Sequence, residues 1–264
     1  MNERETKNIE SDEIAFFERI YEEGMYHPVG FRLRMARELK SLLRTAGDVK
    51  LERVLSLGCG DGQFELMLAP HVGHITALDI SPPAIEIAKR NAERAGVTNV
   101  DYQCLPLSEL SWDTQFDAVL CIAFLHHVPI PDLPGLLEEA YAHTKPGGFF
   151  YSQDPNKDGI LRKIGRIVLR DNYDKYHSPD ERELVPGEFK QQLKDAGFKK
   201  VKIGYIDVTL IPSYFVMTSG PSAPFYAARA VDWAWCKTPL APLASGFYAY
   251  GKKKADAPPT APTG

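Results

Sequence analysis

From Arg53 onward the chain alternates short β-rich apolar runs with helical stretches, and this alternation constrains the fold more than any other feature. The runs lie at 53–58, 74–79, 99–104, 116–121 and 148–153, with helices expected near 62–69, 82–95 and 132–144. Strands joined through helices pair in parallel, and each crossover lays a helix on a sheet face, so the pattern predicts an α/β parallel sheet covered on both sides. A basic helical stretch "GILRKIGRIVLR", a polar loop, a helix at 187–196, a strand at 199–208 and a last strand "GFYAYGKK" extend the same sheet. Upstream, apolar residues at helical spacing (Ile14, Phe17, Ile20, Tyr21, then Leu33, Ala36, Leu39, Leu43) predict helices over 13–23 and 31–46, parted by "GMYHPVG". The expected organisation is an N-terminal helical cap over 1–48, a main domain over 49–254 with an insertion at about 208–245, and a Pro-rich tail over 255–264 expected to be disordered.

Charge and cysteine usage narrow the partners. Against 35 acidic residues stand 31 basic ones, a formal charge of −4, so no global field draws the chain to nucleic acid or anionic lipid. Cys59, Cys104, Cys121 and Cys236 form no C-x-x-C pair, which argues against a zinc cluster or redox motif and for reduced thiols in a cytoplasmic setting. No metal site is expected. The charged start "MNERETKNIESDE" lacks the apolar segment of a secretion signal, and no uncharged run approaches the ~20 residues that span a bilayer.

Between the first β-run and the first helix stands "VLSLGCGDGQF", with glycines at 58, 60 and 62. Glycine tolerates positive φ and has no Cβ, so such a turn lets a ligand touch the main chain beside the amides of a helix start. The dinucleotide fingerprint is G-x-G-x-x-G over a pyrophosphate, whereas here the third glycine follows the second by two, which disfavours NAD and FAD. At the end of the next run, "ALDIS" places Asp79 where a carboxylate accepts the hydroxyls of a ribose. A nucleoside without pyrophosphate is the expected ligand; the plain alternative is a tight turn with Asp79 capping the helix that Pro82 and Pro83 open.

In order, "VLSLGCGDG", "ALDISPPAIEIAKRNAERAG", "FDAVLCIAFLHHV" and "AHTKPGGFFYSQDPN" resemble the successive motifs of class I S-adenosylmethionine-dependent methyltransferases, especially the small-molecule branch. The resemblance is strong over about 50–155. It implies a doubly wound, Rossmann-like seven-stranded sheet, mostly parallel with the last strand antiparallel, and S-adenosyl-L-methionine as cofactor. It carries the methionine-side contact onto Gly58, Cys59 and Gly60, the ribose acid onto Asp79, and the apolar adenine neighbour onto Ile80. Two departures stand out. Ser56 occupies the position where the family usually has an acid, so another group must meet the ligand's ammonium. Leu105-Pro106-Leu107 replaces the usual Gly-Asp-Ala, which leaves adenine to the backbone of Leu107, to Ser108 or to Gln103.

Methyl transfer from a sulfonium is an in-line displacement, so the protein mainly aligns the reactants and excludes water. A hydroxyl acceptor wants a base, for which histidine is suited. Ligands in such folds bind where strands end, and there stand Ile122 to His127, then Gln153, Asp154 and Asn156. His126 and Asp154 are the catalytic candidates, against the plainer roles of a packed histidine and a helix cap; Tyr176 and His177 lie in a later loop. From the cap, Tyr26, with His27, Arg32 and Arg34, is a candidate for the cofactor's carboxylate, or the arginines are simply solvated. Cys121 lacks the Pro-Cys or Thr-Cys setting of a cytosine-C5 methyltransferase and reads as structural. "CIAF" stands where an amino-group nucleic-acid methyltransferase would carry Asn-Pro-Pro-Tyr.

Residues 208–250 hold nine aromatic side chains and three charged ones (Arg229, Asp232, Lys237), which suggests a pocket wall including Tyr214, Phe215, Trp233 or Trp235, or else core. Three functions compete: methyl transfer to a small, apolar or amphipathic acceptor; the same at a membrane surface on a quinone or lipid-linked substrate, with Trp233, Trp235 and "GRIVLR" touching lipid; and cofactor binding without turnover.

Overall fold

The structure is a computed structural model that describes residues 28–110, 113–169, 182–208 and 223–255. Seven strands form one sheet: β1 (Arg53–Leu57), β2 (His74–Asp79), β3 (Val100–Cys104), β4 (Phe116–Ile122), β5 (Thr144–Pro155), β6 (Lys199–Ile206) and β7 (Gly246–Lys252). Their spatial order is β3-β2-β1-β4-β5-β7-β6, and β7 runs antiparallel to both neighbours while the pairs among β1 to β5 are parallel. The doubly wound sheet expected from the motifs is therefore the fold observed. Strand order reverses between β1 and β4, which opens a crevice at their carboxyl ends.

Among the described residues, seven helices flank the strands: α1 (Pro28–Ala46), α2 (Gln63–Leu68), α3 (Pro82–Ala95), α4 (Leu133–His143), α5 (Ile160–Leu169), α6 (Pro186–Asp195) and α7 (Ala223–Trp235). Because successive side chains of a strand point to opposite faces, β1 sends Val54 one way and Leu55 and Leu57 the other. Val54, Ile75, Leu120 and Tyr151 pack under α1, α2 and α3 through Leu42, Phe64, Leu68 and Ala88. Leu55, Val119, Phe150 and Phe247 pack under α4 and α6 through Leu137, Phe189 and Leu193. Burial on both faces explains the near-continuous apolar runs.

β5 begins earlier than its apolar run. Phe116 pairs with Thr144 and Ala118 with Phe149, so "KPGG" is an irregularity inside the strand rather than a turn before it. Gly147 has φ +81°, and a Cβ on Gly148 would stand 2.7 Å from the Asp117 carbonyl oxygen. Helix α1 is tied to the sheet at two points. Arg37 grips Asp207 after β6 with both guanidinium nitrogens, and Tyr151 donates to Ser41 at 2.9 Å. The helix expected over 13–23 and the tail beyond residue 255 lie outside the described residues.

Candidate functional site

The turn from β1 into α2 is held in the left-handed region: φ is +67° at Gly58, +52° at Gly60 and +75° at Gly62. Two of these glycines are also demanded by the protein's own packing. A Cβ on Gly58 would stand 2.1 Å from the Phe124 ring, and one on Gly62 would meet the Tyr102 hydroxyl at 2.6 Å and Ala88 at 2.9 Å. The bare backbone is thus explained at positions 58 and 62 by neighbouring side chains, a refinement of the expectation that a ligand alone requires it. Tyr102 from β3 donates to the Gly62 carbonyl (3.3 Å) and Asn91 from α3 to the Asp61 carbonyl (3.0 Å), which pins the turn to its neighbours.

At the tip of β2 the Asp79 carboxylate accepts from the Gly60 amide at 2.8 Å and the Ser81 amide at 2.9 Å. It does not cap α3; the Ser81 hydroxyl does, accepting from Ala84 N. Ile80 next to it is 42% exposed, an apolar surface at the crevice mouth. Leu107 and Ser108 open a short helical turn after β3, with the Leu107 side chain buried and Ser108 exposed. Gln103 hydrogen-bonds Asp101 on an exposed part of β3.

Three carboxyl groups crowd this edge. Burial raises the Asp61 and Asp79 pKa values and pushes Glu65 up to about 7, with Asp61 and Asp79 adding to the rise at Glu65. Such a cluster repels a pyrophosphate and favours a cation. Cys59 is buried beside these acids and its thiol is raised far above the ordinary range, so it packs rather than reacts. Cys121 is fully buried and likewise raised, as expected of a structural thiol.

Across the crevice, β4 ends at Ile122, which is partly buried against the core, and Ala123 follows with φ +53°. A non-glycine residue there stores strain, offset here by the Ala123 amide donating to Gln153 O at 2.8 Å. The kinked strand end swings Phe124 over Gly58 and brings His126 to Asp154 at the end of β5. Asp154 Oδ1 lies 3.1 Å from His126 Nδ1 and 3.3 Å from its backbone amide. Both residues are buried, at 6% and 4% exposure. Burial pushes the Asp154 carboxyl up to about 7. The His127 ring lies 4.0 Å from that of His126, tilted by 45°, and its electrostatic effect opposes in small part the rise that burial causes at Asp79, so it links the two sides of the crevice.

Known proteins resemble this chain in sequence and in fold. Residues 54–148 match the family described as "Methyltransferase domain". The ubiquinone biosynthesis O-methyltransferase of Coxiella burnetii (strain RSA 493 / Nine Mile phase I) is 31% identical over 229 residues, covering 84% of this chain and 96% of that protein. The chain belongs to the class I S-adenosylmethionine-dependent methyltransferases. The protein of the same description from Bordetella pertussis is 29% identical over 187 residues, 69% of this chain and 76% of that one. Among solved structures, a possible histamine N-methyltransferase from Thermotoga maritima superposes with a TM-score of 0.62 at 20% identity over 91% of this chain and 99% of that one. The DhpI–SAH complex gives 0.59 at 19% identity over 93% and 97%.

S-adenosylmethionine is the methyl donor of this methyltransferase, and the site fits a cationic nucleoside: the acids gather at the turn, and Glu65 Oε2 is buried without a partner. When bound, the cofactor supplies an electrophilic methyl group on a sulfonium. Gly58, Cys59 and Gly60, the positions that the motif gives to the methionine side, stand beside the Asp79 carboxylate, which the Gly60 amide meets at 2.8 Å; these are the residues that would hold the cofactor. Tyr26, His27, Tyr176, His177, Tyr214 and Phe215 lie outside the described residues. Arg34 is not simply solvated, because it pairs with the buried Glu38 at 2.9 Å. Trp233 is 65% exposed with the Lys237 ammonium 3.4 Å from its ring centre, so it faces outward instead of closing the core. Trp235 donates its indole N–H to Leu240 O at 2.9 Å. Among the described residues no group of His, Cys, Asp and Glu is arranged to hold a metal, and no helix is long and apolar enough to cross a membrane.

The sequence reading named Phe124 and His127 only within the stretch Ile122 to His127, without a role, and it passed over Glu65. Glu65 did carry a signal: an acid three residues into a helix that is otherwise apolar on its core side.

Proposed function

We propose that this enzyme methylates a hydroxyl oxygen of a small, apolar aromatic acceptor, with His126 as general base and Asp154 as its positioning residue. The observation that carries the reading is the His126–Asp154 contact of 3.1 Å at the adjoining ends of β4 and β5. An ionised Asp154 accepts the Nδ1 proton, which fixes the tautomer and leaves the Nε2 lone pair to take a proton from the acceptor. The imidazolium so formed is stabilised by the same carboxylate. Burial of both groups keeps water from competing for that proton. The names of the Coxiella and Bordetella relatives, O-methyltransferases of ubiquinone biosynthesis, support an oxygen acceptor on a quinone-precursor ring.

Incubation with methyl-labelled S-adenosylmethionine and a panel of catechols and hydroxyquinols tests this by mass spectrometry. The expected product carries the label on oxygen, and His126→Ala slows turnover by ~10²–10⁴-fold while S-adenosylhomocysteine affinity is unchanged. Label on nitrogen or carbon, or full turnover by the variant, overturns the reading.

One observation favours a variant in which the acceptor is reached at a lipid surface. Ile160, Ile164 and Ile167 line one side of α5 at 39%, 48% and 72% exposure, a spacing that puts an apolar stripe on the outside. Flotation with phosphatidylethanolamine–phosphatidylglycerol vesicles decides it: co-migration that Ile164→Ser/Ile167→Ser abolishes supports the variant, and protein left in the pellet rejects it.

A further inference from the structure

Beneath the glycine turn lies a carboxylate that nothing in the reaction described above uses. Glu65 is 1% exposed, on α2 with its back to the apolar core. Its Oε1 accepts from the Ser56 hydroxyl at 2.6 Å, while its Oε2 is enclosed and has no partner. Ser56 is the penultimate residue of β1, so the pair sits where the strand meets the crevice. The charged and titratable neighbours that bear on Glu65 are Asp61 and Cys59 in the turn, Asp79 at the tip of β2 and Tyr102 on β3; each is anionic when ionised. A buried carboxylate among other acids, with one of its oxygens left without a partner, is disfavoured as an anion. A packed apolar side chain would cost less, so a core role alone gives no reason for an acid at this position. A cation arriving there meets charge at low dielectric, where the attraction is strongest.

The cofactor of this family brings such a cation on its amino-acid end. We propose that Glu65 Oε2 receives the ammonium of S-adenosylmethionine, with the Ser56 hydroxyl holding the carboxylate in place. The anion that the turn offers its ligand comes from the helix after the glycines, and the strand before them contributes a neutral donor. Glu65 is then a residue of cofactor recognition, specific for ligands that keep the amino-acid end.

Binding proceeds with a proton released. Burial holds the free carboxyl up to about 7, and pairing with an ammonium favours the ionised form, so affinity rises with pH up to about 7 and levels off above it. The proposal rests on the family assignment, and the test separates the two. Calorimetry on the full chain compares S-adenosylhomocysteine with 5′-methylthioadenosine, which keeps adenine, ribose and sulfur but lacks the ammonium. Glu65→Gln is expected to weaken S-adenosylhomocysteine by ~10–100-fold and to leave 5′-methylthioadenosine within about twofold, with the proton release in buffers of different ionisation enthalpy lost. The exchanged variant Ser56→Asp/Glu65→Ser returns a carboxylate to the same contact and is expected to regain most of the affinity. Should Glu65→Gln fail to fold, ¹³C NMR of the wild-type Glu65 carboxyl at pH 6.5 replaces it: ionisation driven by S-adenosylhomocysteine and not by 5′-methylthioadenosine supports the proposal. Equal weakening of both ligands, unchanged S-adenosylhomocysteine affinity, or a carboxyl indifferent to which ligand binds overturns it. A wild type that binds 5′-methylthioadenosine as tightly as S-adenosylhomocysteine contradicts the proposal and leaves the family assignment standing; one that binds neither removes both.

Discussion

The two sides of the crevice are built differently. On the cofactor side, β1 to β3 hold their ligand groups through contacts close in sequence: Ser56 with Glu65, Gly60 with Asp79, Asp61 with Asn91 and Gly62 with Tyr102. On the acceptor side, β4 to β7 are closed by groups far apart in the chain. Asn156 donates to the carbonyls of Pro242 and Ala244, Arg162 reaches Ser245 O, and Arg37 reaches from α1 to Asp207. Local contacts form a unit that a short motif specifies, whereas closure over eighty or more residues depends on the whole fold. On the proposed reading, the cofactor side is specified within residues 56–102, whereas the acceptor side needs the assembled molecule.

The strongest way to break this division is at its seam, where Phe124 from the acceptor side covers Gly58 from the cofactor side. Gly58→Val places a Cβ 2.1 Å from the Phe124 ring on a backbone with φ +67°. Calorimetry is expected to show S-adenosylhomocysteine binding lowered by more than ~100-fold, with partial recovery in Gly58→Val/Phe124→Ala, the backbone strain of ~1–3 kcal/mol remaining. Full recovery would mean that the seam, and not the turn, governs binding.

A smaller effect tests the cofactor side alone. Asp79→Ala removes an acceptor for ribose hydroxyls and frees the Gly60 and Ser81 amides; S-adenosylhomocysteine affinity is expected to fall by ~10–100-fold with little change in the product ratio between acceptors. A changed acceptor preference would show the sides to be coupled.

Next in size is a pH effect that the two sides share. Burial holds Asp154 and Glu65 at about 7 against ordinary values of 3.8 and 4.5. The folded chain keeps protons that the unfolded chain has released, so stability declines as pH rises from about 4 to about 7 and is level above. Thermal melts of Asp154→Asn are expected to lose part of this decline while cofactor affinity stays unchanged. A wild-type Tm flat across that window would show that neither carboxyl is held protonated. The smallest effect is expected for Trp233→Ala: with the ring facing outward, Tm should move by no more than ~0.5 kcal/mol's worth, about 1–2 °C. A larger drop would assign it to the core.

How far the sequence could be read follows the same division. The five alternating strands, the α3 and α4 helices and the tip position of Asp79 follow from apolar period and glycine punctuation, which act within a dozen residues. The start of β5 at Thr144 was hidden by "KPGG", since a proline and two glycines announce a turn and here make a bulge inside a strand. The pairing of Arg34 with Glu38 was open to the helical i,i+4 spacing and was not drawn from it, whereas that of Arg37 with Asp207 was hidden because the partner lies far along the chain. His126 and Asp154 could be named as candidates from their strand ends, but their contact depends on the register of β4 on β5, where Ile122 pairs with Gln153. Ser56 announced a missing charge; its replacement needed the fold, because Glu65 reaches it only once α2 packs on β1.

On the proposed reading, one crevice serves both sides, binding S-adenosylmethionine on the turn and passing its methyl group to an oxygen near His126. The most direct measurement is a single-turnover assay with methyl-labelled S-adenosylmethionine and a catechol acceptor, run on wild type, Asp79→Ala and His126→Ala at saturating cofactor. Wild type is expected to give one labelled O-methyl product per site, Asp79→Ala to recover near-wild-type turnover once saturated, and His126→Ala to stay slow however much cofactor is added. Wild type that binds S-adenosylmethionine yet labels no oxygen of any acceptor, or His126→Ala rescued by added cofactor, would contradict it.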